Sequence, residues 1–313
     1  MNLRNYTLVT GGYWAFTITD GALRMLVLLN FHDLGYSPIS IAFLFLLYEF
    51  MGIITNLIGG WVGARSGLNR TLLVGLGLQI IALVALSFHQ AAWPEILAVA
   101  FVMGFQALSG VAKDLTKMSS KSAVKFVAGE GKLFSLVVVL TGSKNALKGV
   151  GFFVGAALLG AFGFDIALFA LAGLVAVALL LIGILLNEDI GKATAKSTLR
   201  TALSKSTAIN RLSAARFFLF GSRDIWFVVA LPIFLSETFG WSFQGVGGFL
   251  AAWVIGYGIV QSAAPRFLTS ATGSLDTEVQ AAQRLALALA WSRRQSPFLS
   301  PSTLHSPQRS LAV

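Results

Sequence analysis

An all-α, multi-spanning membrane protein is the fold class that three features of the sequence predict: long apolar runs, scarce charge and cations confined to one side. Of 313 residues 56% are hydrophobic and 12% charged, with a mean hydropathy of +0.78. Those values belong to chains solvated by lipid rather than to soluble domains. Apolar runs near 13–31, 39–63, 71–88, 96–112, 133–162, 166–186, 212–235 and 243–263 predict eight spans of a hydrocarbon layer about 30 Å thick.

The connections fix the expected orientation. With the N-terminus inside, the inner segments hold Arg4, then Arg65 and Arg70, then Lys113, Lys117, Lys121, Lys125 and Lys132. The segment after the sixth run adds Lys192, Lys196, Arg200, Lys205, Arg211 and Arg216. The outer turns contain no Lys or Arg and carry one acid each, Asp33, Glu95, Asp165 and Glu237. This asymmetry predicts both termini in the cytoplasm of a cell (inner) membrane protein. It also turns the net charge of +10 into a topology signal, so no nucleic-acid partner is expected. Met1 to Gly12 is polar and leads directly into a full-length span, without the pattern of a cleavable signal. Cysteine is absent, which excludes a disulfide framework and a thiolate metal site.

Charges inside the spans need a reason, because each costs about 3 kcal/mol on insertion scales. Span one holds Asp20 and Arg24, span two Glu49, span five Lys144 and Lys148, and span seven Arg223 and Asp224. Counted from Leu133, Lys144 lies about 17 Å into its span, close to the midplane. Lys144, Lys148, Gly151 and Gly155 are spaced four, three and four apart, so one stripe changes from cations to close-packing glycines. The alternative is that Thr141 to Lys148 is a polar loop before a shorter apolar helix.

Residues 187–208, rich in Lys, Ser, Thr and Ala, read as a cytoplasmic linker between an N-terminal bundle of six spans (1–186) and two further spans (209–264). A weak repeat supports two related halves: Leu34-Gly35-Tyr36-Ser37 after span one is matched by Phe239-Gly240-Trp241-Ser242 after span seven. Charged pairs precede both, as a pseudo-symmetric carrier predicts. Residues 265–313, with Pro297, Pro301 and Pro307 among serines, read as a disordered tail.

Gly60-Trp61-Val62-Gly63-Ala64-Arg65-Ser66-Gly67-Leu68-Asn69-Arg70 resembles the loop signature of the major facilitator superfamily, Gly-x-x-x-Asp-Arg-x-Gly-Arg-Arg. Gly60, Arg65 and Gly67 fit it, while Ala64 stands where the family has Asp. Two further stretches, Leu108 to Ser119 and Thr141 to Phe153, together with Asn5-Tyr6 and Asp20-Gly21-Ala22-Leu23-Arg24, resemble the organoarsenical-efflux, ArsJ-like branch of that superfamily. The resemblance runs from about Met1 to Phe267. It implies a major-facilitator-type six-helix bundle followed by a partial second bundle, since such carriers have twelve spans and this chain reads as truncated after the eighth. It also implies efflux of 1-arseno-3-phosphoglycerate, arsenate resistance, and a functional link to glyceraldehyde-3-phosphate dehydrogenase.

Such a substrate is multiply anionic and needs fixed cations in a desolvated cavity. Lys144, Lys148, Arg24 and Arg223 are the expected binding residues, because they are the basic residues predicted within the membrane. Asp20, Glu49 and Asp224 are the expected charge partners. Arg24 has two readings, pairing with Asp20 one turn earlier or contact with substrate; Glu49 either exchanges a proton or pairs with a lysine. No nucleophile and base recur together and no phosphate-binding loop is present, so neither an enzyme nor an ATPase is expected. No metal or cofactor is expected either, His32, His89 and His305 being too scattered. The competing readings are a carrier of other phosphorylated or carboxylated anions, and a truncated membrane product that does not transport.

Overall fold

A computed structural model describes residues 3–127, 133–186, 207, 210–211, 214–215 and 225–268. Among them every extended element is helical: α1 (Leu3–Asp33), α2 (Pro38–Ser66), α3 (Leu68–Leu86), α4 (Glu95–Val127), α5 (Leu133–Phe162) and α6 (Phe164–Leu185). A π-helical segment, Ile225–Ala230, runs into α7 (Leu231–Phe239), and α8 covers Phe243–Leu268. The chain divides into two compact units, Met1–Ile259 and Val260–Val313, and of the second only 260–268 are described.

Within the first unit α1 packs on α5, α6 and α4, α2 on α4, and α3 on α4 and α6. The shared core comes from Leu23, Leu26, Phe31, Leu44, Leu76, Val102 and Leu168, all essentially inaccessible. Apolar side chains also cover the outside. On α6, Val177, Leu180, Leu181 and Ile184 are exposed, a distribution that water would penalise and lipid does not. Leu68–Leu86, Glu95–Ala123, Ser143–Phe162 and Phe164–Leu185 combine the length and apolarity of membrane spans. The fold is therefore that of a multi-pass membrane protein.

The close approach of α1 and α5 depends on missing side chains. A Cβ built on Gly151 would strike the Ile18 carbonyl, and one on Gly155 the Ala22 carbonyl. From the other side, a Cβ on Gly21 would meet the Cα of Gly151 at 3.3 Å. The glycine stripe expected from spacing is thus a real contact surface. The polar-loop alternative for Thr141 to Lys148 is overturned, since α5 is helical from Leu133 to Phe162.

The two turns paired by the sequence repeat share a geometry. Gly35 (φ 83°) and Gly240 (φ 63°) both take the left-handed conformation that ends helices without a Cβ penalty. Two residues on, Ser37 Oγ accepts from the Ser40 N–H at 3.1 Å, and Ser242 Oγ from the Gly245 N–H at 3.3 Å. Each is the N-cap of the next helix.

Two expectations change. The fourth run was expected to end near residue 112, with Lys113, Lys117 and Lys121 in a loop; instead α4 continues to Val127. Mean hydropathy falls there, yet Ala112, Leu115, Thr116, Ser119, Ser120 and Ala123 are buried, so packing carries the helix past the charges. Lys144 is also less central than a count from Leu133 suggests. Measured from Phe162 it lies about 27 Å away, because a helix of 30 residues is about 45 Å long and overruns the hydrocarbon core.

Candidate functional site

Four helices converge on a cluster of charge. α1 contributes Asp20 and Arg24 one turn apart, both buried, and Arg24 is 3% exposed. α2 contributes the buried Tyr48 and the adjacent Glu49, which is 41% exposed. From α4 come Lys113, Asp114 and Lys117, and from α5 Lys144 and Lys148.

Tyr48 is the hub. Its hydroxyl donates to Asp20 Oδ1, and its ring is approached by two cations, the Arg24 guanidinium carbon at 4.5 Å from the centroid and Lys113 Nζ at 3.9 Å. Two cations on one ring gain from its negative faces, about 1 kcal/mol each when partly desolvated. Glu49 binds the same two cations: Arg24 Nη2 donates to its Oε1, and Lys113 Nζ stands 3.7 Å from its Oε2. Asp114, 1% exposed, accepts from Lys117 Nζ at 3.0 Å.

The lysines of α5 complete the group. Lys148 is an electrostatic neighbour of both Asp20 and Glu49, and its ammonium lies 5.7 Å over the Phe152 ring. Lys144 has Lys113, Lys117 and Lys121 of α4 as like-charged neighbours and Asp20 as the opposing charge. Beside it, Trp14 Nε1 donates to Ser143 Oγ at 2.9 Å, tying α1 to α5 at this level. Six cations thus gather with three carboxylates among the described residues. Positive charge is in excess.

The structure brings together Arg24, Lys144, Lys148, Asp20 and Glu49 of the residues expected from sequence. Arg24 forms its ion pair with Glu49 across helices and is also the leading charge neighbour of Asp20, whose Oδ1 accepts from the Tyr48 hydroxyl. Arg223 and Asp224 lie outside the described residues. Of the loop signature, Gly67 has φ 84° and caps α3. Gly60 and Arg65 belong to the last turns of α2, with the Arg65 side chain outside the described part. Sequence reasoning missed Tyr48, Lys113, Asp114 and Lys117. The signal was present: Lys113, Lys117 and Lys121 recur every four residues, and no proline interrupts Glu95–Val127.

The profile of the Major Facilitator Superfamily matches residues 9–289. Among curated proteins none matches the sequence. Of solved structures, a POT family transporter in complex with a thioalcohol-conjugated peptide aligns with a TM-score of 0.60 at 14% identity, over 84% of this chain and 69% of its own. A POT family transporter in complex with 5-aminolevulinic acid gives 0.59 at 15%, over 87% and 72%. A D-xylose–proton symporter gives 0.51 at 18%, over 84% and 67%. At such identities the likeness is one of fold. The profile match over most of the chain, on a bundle of apolar helices with a charged interior, establishes that this protein belongs to the Major Facilitator Superfamily.

Proposed function

We propose that the chain is a secondary carrier for a small, multiply charged organic anion, and that the cluster of Arg24, Lys144 and Lys148 is where the anion binds. The observation that carries this reading is the excess of cations over carboxylates in the bundle interior, which an anionic cargo would neutralise. The resemblance of Leu108 to Ser119 and Thr141 to Phe153 to the organoarsenical-efflux branch supports a substrate of the 1-arseno-3-phosphoglycerate type, and hence export and arsenate resistance. A carrier of other phosphorylated or carboxylated anions uses the same lysines. Glu49 is shared between Arg24 and Lys113, so of its two expected roles, proton exchange and pairing with a lysine, the geometry supports pairing. The matched turns at Gly35 and Gly240 support two related halves, 1–186 and 209–264, joined by a linker at 187–208.

The test is Lys144→Met with Lys148→Met. Removing Lys148 from the apolar part of the span and Lys144 from nearer its end lowers rather than raises the insertion cost, so the variant should reach the membrane at least as well as the parent. It should also lose uptake of the arseno-ester into everted vesicles. Normal transport at normal level in this variant removes both lysines from the site. Uptake of sugar phosphates but not of the ester by the parent shifts the substrate to the second class. Orientation is checked separately with Ser206→Cys, which an impermeant thiol reagent added outside should leave unlabelled.

A further inference from the structure

We infer that Lys113, Lys117 and Lys121 of α4, with Lys144 of α5, form a second anion-binding tier. It lies nearer the Val127 end of α4 than the Arg24 centre and suits the doubly charged head of a phosphate-type group. This rests on the carrier reading above and extends it to the lysines of α4, with Lys144 shared between the two levels.

Lysines at 113, 117 and 121 fall on one side of α4, where like charges four apart destabilise a helix by about 0.2–0.5 kcal/mol per pair. Lys144 of α5 is a like-charged electrostatic neighbour of all three. A topology signal needs only cations near the helix ends. It does not require them to point inward. Lys113 does so, resting on the buried Tyr48 ring at 3.9 Å, and Lys117 reaches the fully buried Asp114 at 3.0 Å.

The charges are only partly compensated. Glu49 serves Lys113, and it is shared with Arg24. Asp114 serves Lys117. Among the described residues no carboxylate stands within ion-pair distance of Lys121 or Lys144. The side chains are also reachable: Lys113 is 21% and Lys117 30% exposed.

Position separates this tier from the deeper centre. Along the helix axes Lys117 lies about 33 Å from Glu95 and Lys144 about 27 Å from Phe162, whereas Arg24 lies only about 14 Å from Asp33. Lys113, in contact with Glu49, belongs to both levels. The donor set is made of ammonium groups, each with three N–H donors and no acceptor. A phosphate monoester dianion brings two charges and three terminal oxygens to such a set, whereas a carboxylate brings one charge and two oxygens.

The experiment uses the full chain in lipid nanodiscs and titration calorimetry with two probes, glycerol 3-phosphate and lactate. At about pH 8 the phosphate monoester is a dianion, its second pKa being near 6. Lys117→Gln with Lys121→Gln should weaken glycerol 3-phosphate binding about tenfold or more and change lactate binding by less than about twofold. Asp114→Asn, which frees Lys117 without removing a cation, should tighten glycerol 3-phosphate binding about threefold or more. Equal weakening of both probes by the double variant overturns the tier, as does no weakening. If the double variant fails to fold, Asp114→Asn decides, and an unchanged affinity overturns the tier. Weakening by Lys144→Met with Lys148→Met but not by the α4 variant leaves the carrier site standing and removes the tier. A parent that binds neither probe removes both.

Discussion

At the scale of single residues the interior is governed by the cost of unpaired charge. Arg24 is nearly inaccessible and its guanidinium has Glu49 and the Tyr48 ring as partners; Asp20 has the Tyr48 hydroxyl. Tyr48→Phe keeps the ring beside both cations and removes only that donor. A buried acceptor left without its partner costs about 1–3 kcal/mol, so thermal unfolding of the purified variant should show a loss of that size. Tyr48→Leu, which also removes the π-face, should lose more. Equal stability of Phe and Tyr at this position would mean that Asp20 does not depend on the hydroxyl. The pair Asp20 and Arg24 was legible as buried charge, but their partners were not. Which carboxylate meets which cation is decided by side chains from α2 and α4, distant in sequence.

At the scale of helices, small residues set how closely elements meet. α1 and α5 touch through Gly21, Ala22, Gly151 and Gly155, backbone against backbone. Gly155→Val places a side chain on the Ala22 carbonyl and should destabilise the fold by about 1–3 kcal/mol or more. Gly104→Ala and Gly173→Ala, where a Cβ meets nothing within 4 Å, should be neutral or slightly stabilising, since alanine is the better helix former. Relative unfolding temperatures of the three variants check the contrast, and equal effects would refute the packing argument. The i, i+4 glycine spacing was readable in the sequence. The length of α4 was not, because its continuation past the charges rests on tertiary burial of Ala112, Leu115 and Ala123 rather than on an unbroken apolar run.

At the scale of the whole molecule, the helix ends on the Asp33 side close over an aromatic cluster. His89, in the turn between α3 and α4, lies tilted against Phe31 at 4.8 Å and edge-on to Trp93 at 5.8 Å and Phe164 at 6.5 Å. Burial lowers its pKa below the ordinary histidine value, against a smaller opposing effect of Asp165. A group whose folded pKa is depressed binds protons more readily when unfolded, so its contribution is fully present above the unfolded value of about 6.5 and declines as pH falls below it. The unfolding temperature should therefore drop between about pH 7 and pH 5, and His89→Phe should flatten that slope. An unchanged slope in the variant would assign the pH dependence to other groups.

The solvent of this protein and the class of its fold were legible in composition alone, because a bilayer constrains composition and segment length residue by residue. The sequence also determined which charges needed explaining, since an ionisable group in an apolar run is anomalous wherever its neighbours come from. The turns at Gly35 and Gly240 were equally local, set by glycine and the serine that follows. It took the packed helices to show that Glu49 joins Asp20 in answering Arg24, that Tyr48 joins three charged groups, and that the lysines of α4 are electrostatic neighbours of Lys144. Those are encounters between helices, and helical periodicity gives the face of each residue but not which other helix that face meets.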